Sequence, residues 1–201
     1  MTTSPAMILY YDEVSPPVRG VLLAIAALGV KDRIKLEYID LFKGGHLSSD
    51  YLKINPLHTV PVLRHGHTLA LPDALTRAKV FNMLCFNNGC LFQRDAEVMR
   101  KIFSGAITDP TQHLKPIEAA IDALEQFLQR SRYTAHDQLS VADFAIVATL
   151  STVAIFVPLP ADRWPRVCEW FAVMEALPYY NDQNRVGLDM LRKHLAGKIK
   201  L

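Results

Sequence analysis

Residues 7–29 read MILYYDEVSPPVRGVLLAIAALG and predict a strand, a tight turn and a helix, in that order. Met7–Tyr11 is a short apolar and aromatic run, which is typical of a strand. Ser15 can cap the following helix, the two prolines after it suit a first helical turn, and Gly29 suits a helix end. We therefore expect the chain to open with a β–α unit whose helix spans Pro16–Gly29.

The rest of the first half alternates short strands and helices. Lys35–Leu41 (KLEYIDL) alternates as a half-buried strand, and a right-handed crossover would place it parallel to the first strand. Leu47–Ile54 predicts a short helix. Val60–Leu63 and Thr68–Leu71 flank a turn that contains Gly66, so they predict a hairpin.

The second half has only helical periodicity and is punctuated by prolines. We expect helices at about 73–103, 111–131, 140–157, 163–177 and 180–197. The third of these opens with Ser140 and Asp143, which resembles a capping box. The predicted organisation is an α/β domain over residues 1–71 and an all-α domain over residues 72–201.

Composition excludes several classes of protein. The 201 residues carry a net charge of +2, which is too balanced for nucleic acid or an anionic membrane surface as the main partner. The chain has three cysteines, which is an odd number, and no C-x-x-C motif. This argues against a disulfide scaffold or a structural zinc and favours a reducing compartment. The N-terminus lacks the pattern of a signal peptide, and the uncharged stretch 144–160, interrupted by Pro158, predicts a core helix and not a membrane span. We therefore expect a cytoplasmic protein.

Four segments in this order resemble one family. They are YYDEVSPPVR (10–19), LFKGGHL (41–47), NPLHTVPVL (55–63) and LSVADFAIVATLST (139–152). Together they are similar to the insect cytosolic glutathione transferases of the delta and epsilon classes. SPPVR, DLFKGG and FNNGCLFQRDAEVM (86–99) most resemble the epsilon-class members that act in ecdysteroid biosynthesis.

This resemblance implies a thioredoxin-like α/β domain that binds glutathione, followed by an all-α domain that supplies most of a hydrophobic pocket. It also implies a homodimer and no metal. It implies that Ser15 supplies the catalytic hydroxyl and that His46 and His58 contact glutathione. It also implies that the backbone of Val60 pairs with glutathione and that Pro61 is a cis proline. From the residues alone, Ser15 could be only a helix cap, His46 a solvated loop residue and His58 a turn residue.

The chemistry of Ser15 can be argued independently. A free thiol titrates near pH 8.5, so lowering its pKa by about two units needs about 2.7 kcal/mol. A hydroxyl that donates to a thiolate supplies about 1.5–3 kcal/mol. A helix N-terminus adds about 0.3–1 kcal/mol for a nearby anion. Ser15 lies where the two effects meet, so no general base is required.

Asp95 is the candidate acid of the substrate pocket. Leu91, Phe92, Val98 and Met99 lie three or four residues from it, so a helix would place it in an apolar stripe. Such a carboxylate is either paired or functional. Arg94 or Arg100 could pair with it; alternatively, it could accept a hydrogen bond from a sterol hydroxyl. The expected pocket walls are Pro16, Phe42, Phe92 and Met99, although such stripes are more often plain core.

One segment departs from the resembled family. Thr68–Leu71 runs directly into Pro72, where relatives carry an acid–Ser pair that holds the γ-glutamyl end of glutathione and then a third helix. Its loss predicts an exposed apolar patch on one sheet face and weaker glutathione binding. His65 and His67 in the predicted turn have no cysteine or carboxylate close by, so they are interpreted as exposed residues and not a metal pair.

Three functions compete. The first is a glutathione S-transferase that uses glutathione as co-substrate on a hydrophobic or steroid-like electrophile. The second is a non-catalytic carrier of steroids or other lipophiles with weakened glutathione binding. The third is a transferase-like interaction domain, which the intact SPPVR and NPLHTVP motifs argue against.

Overall fold

The computed structural model describes residues 7–64 and 74–199. Its strands are β1 (Met7–Tyr11), β2 (Ile34–Tyr38) and β3 (Val62–Arg64). Its helices are α1 (Pro16–Leu28), α2 (Ser49–Ile54), α3 (Ala74–Phe86), α4 (Phe92–Phe103), α5 (Lys115–Leu128), α6 (Val141–Val153), α7 (Pro165–Glu175) and α8 (Val186–Leu195). The described part is therefore an α/β unit followed by helices, as the sequence predicts.

The three strands form one mixed sheet in the order β2–β1–β3. β1 and β2 are parallel, with Leu9 opposite Leu36, and β1 and β3 are antiparallel, with Leu9 opposite Leu63. The predicted parallel pairing of the first two strands is confirmed. Only the first strand of the predicted hairpin is described. The described residues do not include the turn at His65, Gly66 and His67, the second strand Thr68–Leu71 or the junction at Pro72.

The predicted end of the second strand is wrong. β2 stops at Tyr38 instead of continuing to Leu41. The N–H of Ile39 still donates to the carbonyl of Tyr11 at 2.8 Å, but the N–H of Leu41 donates to the Asp12 carboxylate at 2.9 Å. The side chain of Asp12 therefore draws the chain away from the sheet and into the loop that carries Phe42.

α1 and α2 cover opposite faces of this sheet. Leu9 is fully buried and packs with Val18 and Leu22 of α1. On the other face, the ring of Tyr51 in α2 meets the Tyr10 ring edge-on at 5.9 Å. α1 ends at Gly29, whose φ of +63° is a left-handed cap conformation, as expected for a glycine at that position.

The helices of the second half surround α6, which is buried on nearly all sides. α6 ends at Val153, so the uncharged stretch 144–160 is a core helix followed by a loop, and no helix within the described ranges is long and apolar enough to cross a membrane. The capping box of Ser140 and Asp143 is present. α3 and α4 correspond to the single helix predicted over 73–103, but a π-helical turn at Asn87–Leu91 joins them.

α1 also packs directly on α6 and so joins the two parts of the chain. The helices approach closely at Gly20, where an added Cβ would lie 3.0 Å from the Cα of Ala145. This contact fixes the start of α1, and therefore Ser15, relative to the helical part that supplies the other side of the cavity.

Candidate functional site

The cavity

A cavity of about 640 Å³ lies between the start of α1, the loop after β2, α4 and the end of α8. Its lining comes from both parts of the chain: Val14, Ser15, Pro16, Leu41, Phe42, His46, Phe92, Asp95, Ala96, Met99, Arg100, Phe103, Thr152, Leu191, His194 and Lys198. This volume and the mainly apolar lining are typical of a small-molecule site. The expected pocket residues Pro16, Phe42, Phe92, Asp95 and Met99 are thus brought together with Ser15.

Ser15 and the loop before it

Ser15 occupies the N-cap position of α1, but its side chain makes no capping hydrogen bond. Its backbone is held at both ends, because its N–H donates to the carbonyl of Asp12 at 3.0 Å and its carbonyl accepts from Arg19 at 3.2 Å. The interpretation of Ser15 as only a helix cap is therefore wrong. Within the described residues its hydroxyl has no hydrogen-bond partner, and it lies in the cavity lining at the N-terminus of α1.

Asp12 organises this loop, although it was not among the predicted site residues. It is fully buried, and its two carboxylate oxygens accept from the N–H groups of Val14 at 3.2 Å and Leu41 at 2.9 Å. One side chain therefore positions both the Ser15 loop and the loop of Phe42. The acid in YYDEVSP, between strand and helix, was the available sequence signal.

Arg19 is the second residue that the site prediction missed. It is fully buried on the first turns of α1, and its side chain contacts five acceptors. They are the carbonyls of Glu13 (3.2 Å), Val14 (2.9 Å) and Ala148 (2.9 Å), Asn184 Oδ1 (2.9 Å) and Thr152 Oγ1. Arg19 therefore ties the loop before Ser15 to α6 and to the turn before α8.

The acid of the cavity

Asp95 lies where the helical spacing predicts, on the buried face of α4 with Val98 and Met99. It is 1 % exposed, and its Oδ1 has no hydrogen-bond partner among the described residues. Burial raises the pKa of Asp95 to about 7, and the positive charge of Arg19 partly opposes this. Burial therefore favours the protonated form of this carboxyl.

The suggested pairing of Asp95 with a neighbour on its own helix is wrong. Neither Arg94 nor Arg100 forms an ion pair with Asp95 in the described part of the chain; Arg94 donates instead to Cys90 Sγ at 2.8 Å. The cation that lowers the pKa of Asp95 is Arg19. Burial lowers the pKa of the Arg19 guanidinium itself to about 10. Asp95 thus remains available to a molecule in the cavity, either as donor or as acceptor.

Removing the charge of Asp95 should stabilise the fold at high pH. The pKa of Asp95 is about 7 in the folded chain and 3.8 in the unfolded chain. Between pH 3.8 and pH 7 the folded chain therefore keeps a proton that the unfolded chain has lost. Stability from this group is present below pH 3.8 and is lost as pH rises through 7. The difference between the two pKa values sets an upper limit of about 4 kcal/mol, so we expect Asp95→Asn to be more stable than wild type by about 2–4 kcal/mol at pH 8.5 and by less than half of that at pH 5.

Urea unfolding at both pH values measures this gain. Asp162→Asn, which removes an exposed carboxylate from the loop before α7, is the control for net charge and should show no such pH-dependent difference. A gain of the same size for both variants, or a loss for Asp95→Asn at pH 8.5, would contradict the prediction.

The remaining predicted residues

The expected glutathione contacts do not all line the cavity. His46 does, with its Nδ1 buried and without a partner among the described residues, and its ring lies 6.3 Å from that of His58. His58, Val60 and Pro61 are not part of the lining. His58 is exposed at a φ of +46°, and its N–H closes a turn on the carbonyl of Asn55 at 2.9 Å.

Val60 is buried and the Val60–Pro61 peptide bond is cis, as the resemblance implies. His65 and His67 lie outside the described residues. Over 7–64 and 74–199, no group of three or more His, Cys, Asp or Glu side chains is arranged to hold a metal ion.

Phe42 is not a core residue, since 42 % of its surface is exposed. Its ring stacks on that of His194 at 3.8 Å, with 12° between the planes, and the ring of Phe103 lies 5.7 Å from His194. The two parts of the chain therefore meet across the cavity through an aromatic contact.

Comparison with known proteins

Two family models match the chain. Residues 14–76 match the N-terminal domain of glutathione S-transferases and residues 96–178 match their C-terminal domain. Glutathione S-transferase 1 of Manduca sexta is 32 % identical over 218 positions, which cover 96 % of this chain and 99 % of that relative. The chain belongs to the glutathione S-transferase family. It is therefore a transferase, and the predicted family and enzyme class are confirmed.

Solved structures of insect transferases have the same fold. The epsilon-class glutathione S-transferase of the housefly, Musca domestica, is 29 % identical with a TM-score of 0.88, and the match covers 97 % of this chain and 100 % of that one. A glutathione transferase homologue of Drosophila mojavensis, solved with bound glutathione, is 31 % identical with a TM-score of 0.86 over 96 % and 97 % of the two chains. The predicted fold, a small thioredoxin-like α/β domain and an all-helical domain, is confirmed; the boundary at residue 71 remains a prediction.

Proposed function

We propose that this transferase activates the thiol of glutathione through the hydroxyl of Ser15 and joins its sulfur to a hydrophobic acceptor held in the cavity. The observation that carries the proposal is the uncommitted hydroxyl of Ser15 in the cavity lining, at the start of α1. His46, His58, Val60 and Pro61 are the proposed contacts of the tripeptide. His46 shares the cavity lining with Ser15, and its Nδ1, which has no partner among the described residues, offers a polar contact there.

In this reaction the chain's own groups act on the sulfur. The Ser15 hydroxyl donates a hydrogen bond to the thiolate, and the N-terminus of α1 adds a favourable partial charge. The thiol proton passes to solvent. The thiolate then forms a bond to the electrophilic carbon of the acceptor, and the leaving group on that carbon departs with the electrons of the bond that breaks. The hydrogen bonds that Asp12 and Arg19 make to the loop keep the hydroxyl in place before the substrate binds.

Replacing Ser15 with alanine should lower kcat/KM for glutathione and a small aromatic chloride by about 10- to 100-fold, because one charge-assisted hydrogen bond is lost. Binding of a fluorescent sterol, dehydroergosterol, should stay within about twofold, since Ser15 contributes little apolar surface. Ser104→Ala, which removes an exposed hydroxyl at the end of α4, is the matched control. Unchanged turnover in Ser15→Ala would exclude the proposed activation.

We also propose a steroid-like acceptor and a role in ecdysteroid biosynthesis, as in the epsilon-class protein noppera-bo that the sequence resembles. The supporting feature is Asp95, a polar group 1 % exposed in an otherwise apolar stretch of wall with Phe92 and Met99. A sterol hydroxyl could donate to its ionised form or accept from its protonated form. Membership of the epsilon class, homodimer formation and a cytoplasmic location belong to the same proposal.

A carrier without transferase activity is the second candidate. It is favoured by the proposed loss of the segment after β3. Leu63 is 46 % exposed, although its register partner Leu9 on the same sheet face is fully buried. The Manduca alignment also has more positions than this chain has residues. Retained sterol binding in a wild-type chain that has no measurable turnover would favour the carrier.

A further inference from the structure

A second cavity, of about 330 Å³, lies between α3, the end of α5 and the loop that leads to α6. Residues 79–83, Phe127 and residues 130–137 contribute to its lining. Within the described part of the chain, the linings of this α3–α5 cavity and of the cavity at Ser15 share no residue. The proposed transferase reaction therefore does not use the α3–α5 cavity.

The lining of the α3–α5 cavity carries more positive than negative charge. Lys79 and Arg130 are both exposed, and no carboxylate among the described residues forms an ion pair with either. Asp137 is the one carboxylate that the structure describes in this lining, and its Oδ1 accepts from the backbone N–H of Arg132 at 3.0 Å. Two cations on separate segments are thus without an ion-pair partner, and both attract an anion that enters the cavity.

Two neutral donors line the same cavity. The Nδ1 atom of His136 accepts from the backbone N–H of Gln138 at 3.1 Å, so the hydrogen of the neutral ring is on Nε2, which can donate. Thr134 is 3 % exposed, and its hydroxyl has no hydrogen-bond partner among the described residues. Because native chains leave few buried polar atoms unsatisfied, this hydroxyl indicates a ligand oxygen as its missing partner.

The loop that carries these donors is held by its own hydrogen bonds. The Ser131 hydroxyl donates to the carbonyl of Tyr133 at 2.7 Å, and the N–H of Tyr133 donates to the carbonyl of His136 at 3.1 Å. The N–H of Thr134 donates at 2.8 Å to Asp143, which is fully buried in the first turn of α6. The donors are therefore in place before a ligand binds, which reduces the entropy lost on binding.

One wall of the α3–α5 cavity is apolar. Phe127 is half-buried, and its ring meets the ring of Phe86 edge-on at 5.4 Å. The guanidinium carbon of Arg130 lies 6.0 Å from the centre of the Phe127 ring, and Met83 lines the cavity beside them. A planar ring can pack on this wall while an anionic group reaches the cations. The volume is at the small end of the range for ligand pockets and suits a molecule the size of a mononucleotide.

We propose that the α3–α5 cavity binds a small phosphomonoester that carries a ring, of about the size of a mononucleotide. Lys79 and Arg130 attract the phosphate, Thr134 and His136 donate to its oxygens, and the ring packs on Phe127. A phosphate fits this set better than a carboxylate, because it carries a charge of about −1.5 to −2 and three acceptor oxygens. The proposal does not depend on the proposed function, since glutathione and its acceptor are assigned to the other cavity.

Isothermal titration calorimetry of the full chain with three probes tests the proposal. AMP carries ring and phosphate, adenosine lacks the phosphate and ribose 5-phosphate lacks the base. We expect saturable binding of AMP with a Kd below about 1 mM, and binding of the other two that is at least about fivefold weaker. Saturating glutathione should change the Kd for AMP by less than about twofold, because the two ligands occupy different cavities.

The variant Lys79→Gln/Arg130→Gln removes the two cations. We expect its Kd for AMP to rise by about three- to tenfold, as for two partly exposed ion pairs, and its weak binding of adenosine to stay unchanged. Lys115→Gln/Arg132→Gln is the matched control, because it removes two exposed cations outside the lining, one of them in the same loop. It should leave the Kd for AMP unchanged.

Thr134→Val separates a ligand contact from a structural role. Valine keeps the shape of threonine but lacks the hydroxyl, so the Kd for AMP should rise by about threefold or more. The urea midpoint should stay the same or rise, because a buried hydroxyl without a partner contributes nothing to stability. Unchanged affinity for AMP in this variant would refute the assigned donor.

Four further results would overturn the proposal. They are no saturable heat from AMP up to about 5 mM, equal affinity for AMP and ribose 5-phosphate, equal weakening in the Lys115/Arg132 control, and displacement of AMP by glutathione. The last would place AMP in the cavity at Ser15. None of these results bears on thiol activation by Ser15, which the turnover of Ser15→Ala tests separately.

Discussion

Replacing Arg19 with methionine is expected to destabilise the folded chain by about 3–5 kcal/mol, because a buried charged partner is removed from a network that keeps its other members. The carbonyls of Glu13, Val14 and Ala148 would lose their donor. Asp95 would lose the positive charge that stabilises its ionised form, so its pKa would rise further above its present value of about 7. Methionine fills much of the volume, so cavity formation contributes little to the loss.

Urea unfolding measures this loss, and two further variants identify its origin. Arg33→Met removes an exposed arginine and should change stability by less than about 0.5 kcal/mol. Adding Asp95→Asn to Arg19→Met should recover part of the loss at pH 8, because the unfolded chain has released the Asp95 proton at that pH, whereas the folded chain must either keep the proton or bury the charge. Strict additivity of the two substitutions would contradict electrostatic coupling between Arg19 and Asp95.

The prediction of the fold succeeded where the signal is local. The apolar run at Met7–Tyr11, the prolines at the start of α1 and Gly29 at its end each act within one element. The capping box of Ser140 and Asp143 is likewise a contact over three residues. Periodicity and capping therefore give the type and order of the described elements.

The errors arose where a distant side chain competes with a local pattern. The alternation of KLEYIDL predicts a strand to Leu41, but Asp12 binds the N–H of Leu41 and ends β2 at Tyr38. The π-helical turn at Asn87–Leu91 has no comparable signal, because its residues read as ordinary helix within the pattern 73–103.

In the candidate site, too, local patterns predicted positions correctly, whereas contacts between distant residues could not be predicted. Helical spacing placed Asp95 on a buried face, and that is where it lies. Its cationic neighbour could not be identified in this way, because Arg19 is far away in sequence and comes near Asp95 only through the packing of α1 on α6. Ser15 was predicted from its motif, but the sequence could not show that its hydroxyl makes no capping hydrogen bond in the folded chain.

The second large effect is expected at Gly187, in the first turn of α8. An added Cβ there would lie 2.0 Å from the carbonyl oxygen of Glu13 and 2.6 Å from its carbonyl carbon. In an open helix, glycine to alanine stabilises by roughly 0.5–1 kcal/mol. Here both contacts are backbone atoms that cannot rotate away, so we expect Gly187→Ala to destabilise by about 3 kcal/mol or more.

Gly89→Ala is the matched control, because apart from its own helical turn no atom of the described residues lies within 4 Å of the Cβ it would add. It should be neutral or slightly stabilising, whereas Gly187→Ala should lower both the urea midpoint and kcat. The activity should fall because the Glu13 carbonyl also accepts from Arg19 and directly precedes Val14 and Ser15, so any shift there displaces the hydroxyl. Full activity in a folded Gly187→Ala chain would mean that α8 yields instead of the Ser15 loop, and that Ser15 is positioned by Asp12 and Arg19 alone.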